Sequence, residues 1–148
     1  MVRALLEIGE TDKAFEQICK LIPITHEKVT TSPFVMPNSY GYNKELNIDG
    51  ESMSDWYTGS SNTLLKAIIF DMFGLKPNLR GILKVNPVKK FPSEVASITL
   101  EMMNKKITVN HYNGDNLVRK IYVNGEFSDK AEINLNSRKN KYVINIYD

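Results

Sequence analysis

The chain has 148 residues, of which 42% are hydrophobic and 24% charged, with a formal net charge of +2. That length fits one ordinary soluble domain or two small subdomains, able to bury a core without disulfides or metal. The scattered, nearly balanced charge gives no footprint for nucleic acid or a membrane surface, and the single cysteine, Cys19, excludes a disulfide framework and suits a reducing cytoplasm.

The opening "MVRALLEIGETDK" has too short an apolar run for a signal peptide and reads as a helix over residues 2–8. Val2, Leu5, Leu6 and Ile8 share a face, and Gly9 stands where the helix would stop. Thr11 or Asp12 can cap a second helix over 12–22, whose apolar positions are Ala14, Phe15, Ile18, Cys19, Leu21 and Ile22. Pro23 ends it. Residues 23–53 show no sustained period and read as a long ordered loop with one short strand at Phe34–Met36. Its aromatic content argues against disorder. A third helix is predicted over 60–73, with a broad stripe of Leu64, Leu65, Ile68, Ile69, Met72 and Phe73, ended by Gly74.

Beyond Leu75 the period changes to two. "GILKV", "ASITLEMM", "KITVNHYN", "LVRKIYVNG", "AEINLN" and "YVINIYD" read as antiparallel strands of a small sandwich. Ile107, Val109 and His111 share one strand face, as do Tyr142, Ile144 and Ile146. The residues between runs, such as "NGE", are turn chemistry.

Candidate chemistry is sparse. His26 sits in a loop and His111 in a strand pattern, and both read as structural. Cys19 lies on an apolar helix face and reads as packing. Asp49, Glu51 and Asp55 form a local acidic cluster that reads as solvated. No residue is assigned as a catalytic group or metal ligand. "SDWYTGSSN" (54–62) is more informative, because it immediately precedes the apolar third helix. A helix start leaves backbone N–H groups unpaired and carries partial positive charge. Gly59 lets an anion approach, and Thr58, Ser60 and Ser61 add hydroxyl donors. Two readings stand: an oxyanion site, or a simple helix cap.

Read in order, "RALLEIGETDKAFEQICKLIP", "PFVMPNSYGYN" and "SDWYTGSSNTLLKAIIFDMFGLKPNLRGILKVNPVKKFP" resemble the C-terminal part of the cellobiose phosphorylase family. These are the inverting disaccharide and oligosaccharide phosphorylases of glycoside hydrolase family 94. The matching pieces are W-x-T-G-S (Trp56, Thr58, Gly59, Ser60), the apolar helix, "GLKP" from Gly74 to Pro77, and L-x-V-x-P (Leu83, Val85, Pro87). They span roughly residues 2–100.

The resemblance implies an α+β chain: the last helices of an (α/α) barrel in 1–75, then a C-terminal antiparallel β-sandwich in 76–148. It implies that Thr58, Gly59 and Ser60 help hold inorganic phosphate, the co-substrate, with Trp56 and Tyr57 lining the pocket or packing beside it. No cofactor is implied. In the intact enzyme phosphate would cleave a β-glucosidic bond and leave a sugar 1-phosphate. The family's catalytic carboxylate and its other phosphate ligands lie in earlier barrel segments, and neither His26 nor any arginine here matches them. The chain is therefore expected to be a fragment, inactive alone, whose partners are the missing barrel region, a β-linked glucoside and phosphate. Its helix stripes suggest self-association. The "PNSYGYN" loop departs from the cellobiose-specific pattern and leaves the sugar open. The alternative is a non-catalytic carbohydrate-binding or structural sandwich, for which Tyr112, Tyr122, Tyr142 and Tyr147 are candidate contacts.

Overall fold

The computed structural model describes residues 1–25, 34–54, 59–116 and 118–148. Helix α1 (Val2–Glu7) ends at Gly9, whose φ of 81° reverses the chain. The Gly9 N–H bonds Leu6 O at 3.2 Å and the Glu10 N–H bonds Leu5 O at 2.9 Å, so the last carbonyls of the helix are satisfied. Helix α2 (Thr11–Leu21) has Glu10 at its N-cap and no side-chain cap bond. The cap expected from Thr11 or Asp12 is not made. Thr11 is instead the first helical residue, buried in line with Ala14 and Ile18. Phe15 and Leu21 are 40% and 36% exposed and Cys19 is half-buried, because the described neighbours cover only the strip through Thr11, Ala14 and Ile18.

Where the sequence suggested a loop, the chain forms a hairpin of β1 (Ser39–Asn43) and β2 (Ile48–Met53). Phe34–Met36 is not a strand. The Asn43 side-chain oxygen sets the turn by accepting the N–H groups of Glu45 and Leu46 at 3.0 and 3.1 Å. Both strands are largely exposed or half-buried, so no apolar alternation marked them.

Helix α3 covers only Ser60–Lys66 and continues as a π-helical turn, Ala67–Met72, in place of one α-helix over 60–73. The Phe73 N–H bonds Ile68 O at 2.9 Å, five residues back. The wider turn aligns Ala67 with Met72, and both are buried, while Leu65 stays exposed. Gly74 then stops the helix at φ 65°. A β-carbon there would lie 1.8 Å from Asn86 O, so both the conformation and the packing require glycine.

The remaining strands are β3 (Leu75–Pro77), β4 (Ile82–Val85), β5 (Val95–Met102), β6 (Lys105–Tyr112), β7 (Lys120–Val123), β8 (Glu126–Phe127), β9 (Glu132–Asn134) and β10 (Lys141–Tyr147). They form a three-stranded sheet in the order β3-β4-β9 and a five-stranded sheet in the order β5-β6-β10-β7-β8. The expectation of a wholly antiparallel arrangement fails at one place: β10 pairs parallel with β6 and antiparallel with β7. Period-two patterning is the same for both senses, so only the long return of the chain distinguishes them.

Leu75, Leu83 and Ile133 of the small sheet meet Ile107, Val109, Ile144 and Ile146 of the large one in a single buried cluster. Val2, Leu6, Ala14, Ile18, Ala67, Met72 and Phe73 belong to the same cluster. The chain is thus a mixed α+β structure with more strand than helix, whose helices share one core with the three- and five-stranded sheets. Residues 75 and 76 both lie within β3. Among the described residues, no helix is long and apolar enough to cross a membrane.

Candidate functional site

Helix α3 begins within "SDWYTGSSN" at Ser60, and Gly59 takes the N-cap position with φ −86° and ψ −10°. This is ordinary right-handed backbone, so the turn does not need glycine for its conformation. A β-carbon at Gly59 would meet nothing within 4 Å. Glycine here leaves space open above the backbone. The Gly59 carbonyl accepts both the Thr63 N–H and the Thr63 hydroxyl at 3.1 Å. With no side chain, Gly59 offers no acceptor to the first-turn N–H groups that follow it.

Gly59 and Ser60 open onto a cavity of about 580 Å³ between the starts of α1 and α3 and the end of α2. Two cations line it, Arg3 from α1 and Lys20 from the last turn of α2, together with Gln17 and Asn38. Each cation has a carboxylate partner. Arg3 Nε donates to Asp71 Oδ2 at 2.6 Å, and Lys20 Nζ to Glu16 Oε1 at 2.6 Å. The hydrogen bond from Lys20, reinforced by its charge, holds the Glu16 carboxyl below its usual range. Leu21, Met36 and Leu64 supply apolar wall. The arrangement can present backbone N–H groups, a hydroxyl and two cationic side chains to a small anion.

Of the residues singled out from sequence, Gly59 and Ser60 lie together at this cavity. Thr58, Trp56, Tyr57, Asp55 and His26 lie outside the described residues. Asp49 and Glu51 sit two apart on β2. The sequence reading missed Arg3 and Lys20, because only the packing of α1 on α2 and on the π-helical turn after α3 brings them to the cavity with Gly59.

His111 is fully buried on the inward face of β6 and its ring lies 4.8 Å from that of Phe91. Its Nε2 is 2.7 Å from Asp148 Oδ2. A carboxylate only accepts, so Nε2 carries the proton and donates. Arg119 closes the same group with Nε to Asp148 Oδ1 at 2.5 Å and a second nitrogen to Oδ2 at 2.7 Å. Burial raises the Asp148 carboxyl, but the hydrogen bonds from Arg119 and His111 outweigh it and hold the group below its ordinary range. Arg119 also reaches Asn86 Oδ1 at 2.9 Å, tying the residue before β7 to the segment after β4. His111 Nδ1 is buried without a partner among the described residues. The ring is completely enclosed, and the cluster serves as a structural clamp.

No family model matches the chain, and no curated protein matches it. Among solved structures it is similar to a family GH92 α-mannosidase from Bacteroides thetaiotaomicron in complex with mannoimidazole, with 19% identity and a TM-score of 0.42. The match covers 99% of this chain and 16% of the mannosidase. A likeness of that size assigns no activity here.

Proposed function

We propose that this chain is the C-terminal portion of an inverting glycoside phosphorylase and supplies part of the site that holds the attacking phosphate. The observation that carries the reading is the meeting of Gly59 and Ser60 with Arg3 and Lys20 at one cavity. The ordered string of motifs supports it, and so do Phe15, Leu21 and Leu65, apolar side chains left exposed on the helices. Further barrel helices would cover such residues.

In the intact enzyme a carboxylic acid from the barrel would protonate the glycosidic oxygen. Phosphate would attack the anomeric carbon from the opposite face and leave an inverted sugar 1-phosphate. Phosphate is already an anionic nucleophile, so it needs donors that hold it in line rather than a general base. Thr58, Gly59 and Ser60 take that role.

The test is a titration of the isotope-labelled chain with inorganic phosphate, followed by amide NMR. Shifts concentrated at residues 59–62 are expected, and they should weaken in Gly59→Ala, whose methyl enters the open space. That variant should change stability by less than about 1 kcal/mol, because the backbone is already right-handed. The chain alone should release no sugar 1-phosphate. When a family barrel is fused upstream, Thr58→Ala should lower catalytic efficiency for phosphate roughly ten- to 150-fold through one lost charge-assisted bond. No phosphate-dependent shift at 59–62, or normal phosphate kinetics in a Thr58→Ala fusion, overturns the reading.

A further inference from the structure

The large sheet turns Ile107, Val109, Ile144 and Ile146 inward, so the alternate residues of β6, β10 and β7 form its outer face. Tyr112, Tyr147 and Tyr122 stand side by side there, on neighbouring strands. Tyr142, the fourth candidate, is buried on the inner face. The rings of Tyr112 and Tyr147 are stacked, with centroids 4.6 Å apart and planes 8° apart. Tyr122 meets Tyr147 at 87° with centroids 5.9 Å apart, and Phe127 braces Tyr122 from the far side at 5.9 Å and 75°. Tyr147 and Tyr122 therefore bound a cavity of about 420 Å³ with two rings at right angles.

The polar groups around that corner are also oriented. Ser97 Oγ donates to Asn110 Oδ1 at 2.7 Å, and Asn110 Nδ2 donates to Asn145 Oδ1 at 2.9 Å. This relay crosses three strands and turns the Asn145 oxygen toward β6. Its NH2 is left toward the cavity, which it lines. Asn116 donates to the Asp148 carbonyl at 3.0 Å and keeps its own oxygen available. Lys120 lines the cavity and makes no ion pair among the described residues.

We propose that this corner binds a pyranose ring of a neutral oligosaccharide. A pyranose has an apolar C–H face that packs on an aromatic ring, and equatorial hydroxyls that both donate and accept at its rim. The cavity offers both: two fixed rings, a spare amide donor, a spare amide acceptor and one ammonium donor. Among the described residues its lining holds no carboxylate and one cation, so it suits an uncharged polyhydroxylated ligand better than an anion. This site is separate from the phosphate cavity and does not depend on it.

The experiment is an amide and side-chain NMR titration of the full chain with cellotetraose, maltotetraose and mannotetraose. At least one sugar should shift Tyr122, Asn145, Tyr147 and the Asn116 side chain. Tyr122→Ala should weaken that binding at least tenfold, and Tyr122→Phe, which keeps the ring, should stay within threefold of the parent. If Tyr122→Ala does not fold, Lys120→Ala replaces it, with at least a threefold loss expected. Thr99→Ala, on the same outer face but away from the corner, should leave binding unchanged. The proposal is overturned if no sugar shifts these resonances at 10 mM, or if binding survives both Tyr122→Ala and Lys120→Ala unchanged. It is also overturned if the same resonances move with protein concentration alone, which would assign the face to self-association.

Discussion

Replacing Asp148 by Asn removes the charge from the clamp that joins β6, β7 and the segment after β4, while keeping its shape. The carboxylate accepts three short bonds, two from Arg119 at 2.5 and 2.7 Å and one from His111 at 2.7 Å. Bonds to a charged group contribute about 1.5–3 kcal/mol each. They are not additive, and the Arg119 side chain, 22% exposed, can regain water. The His111 side chain cannot, because it is fully buried. A net loss of about 2–4 kcal/mol follows, equivalent to a fall in Tm of roughly 4–16 °C for a chain of this size. The sign of the pH dependence is fixed by the depressed carboxyl. Its contribution is complete above the unfolded aspartate value, about 3.9, and is lost as pH falls through the lower folded value. Urea unfolding of both proteins from pH 7 to pH 3 tests this. The gap between them should hold to about pH 4 and then narrow. A variant within about 0.5 kcal/mol of the parent at pH 7, or a gap that does not change with pH, would refute the reasoning.

Gly74→Ala should cost about 3 kcal/mol or more, because it adds left-handed strain to a clash with the Asn86 backbone; a lowered urea midpoint checks it. Met103→Asn should stabilise by about 0.5–1 kcal/mol, since the β5–β6 turn holds Met103 and Asn104 at φ 49° and 59°, where asparagine is at ease; a raised Tm with unchanged circular dichroism is the expected result. Lys105→Met should destabilise by about 2 kcal/mol. The buried ammonium bonds Ser137 O at 2.7 Å and Lys139 O at 2.8 Å, and its loss should speed amide exchange across residues 137–141.

What the sequence could reveal was whatever repeats locally. The alternation of Ile107, Val109 and His111, and of Tyr142, Ile144 and Ile146, identified the inner face of the large sheet. Gly9 and Gly74 marked helix ends by their conformational freedom, and Asn124-Gly125, both at positive φ, made the turn that "NGE" suggested. The hairpin at 39–53 was hidden because its strands bury little and so show no period. The parallel pairing of β10 was hidden because it is decided across the 28 residues between Tyr112 and Lys141. At the candidate site, Gly59 and Ser60 were legible as a helix start. Arg3 and Lys20 were not, since nothing in their local sequence refers to residue 59. Of the four tyrosines, alternation alone shows that Tyr142 faces opposite to Tyr147 on β10, but only the pairing of β10 with β6 and β7 places Tyr147 among Tyr112 and Tyr122 on one surface.

The place of β10 has a consequence for the order of assembly. Hairpins β5–β6 and β7–β8 are closed by tight turns and can form on their own within microseconds. Each then presents an open row of backbone donors and acceptors toward the gap between them. Only residues 141–147 fill that gap, hydrogen-bonding to β6 on one side and β7 on the other. In chain order these residues follow all the other described strands, so two edges stay unpaired until their shared neighbour docks. Such edges invite pairing with other chains. A chain cut before residue 141 should therefore aggregate more readily than the chain that carries β10.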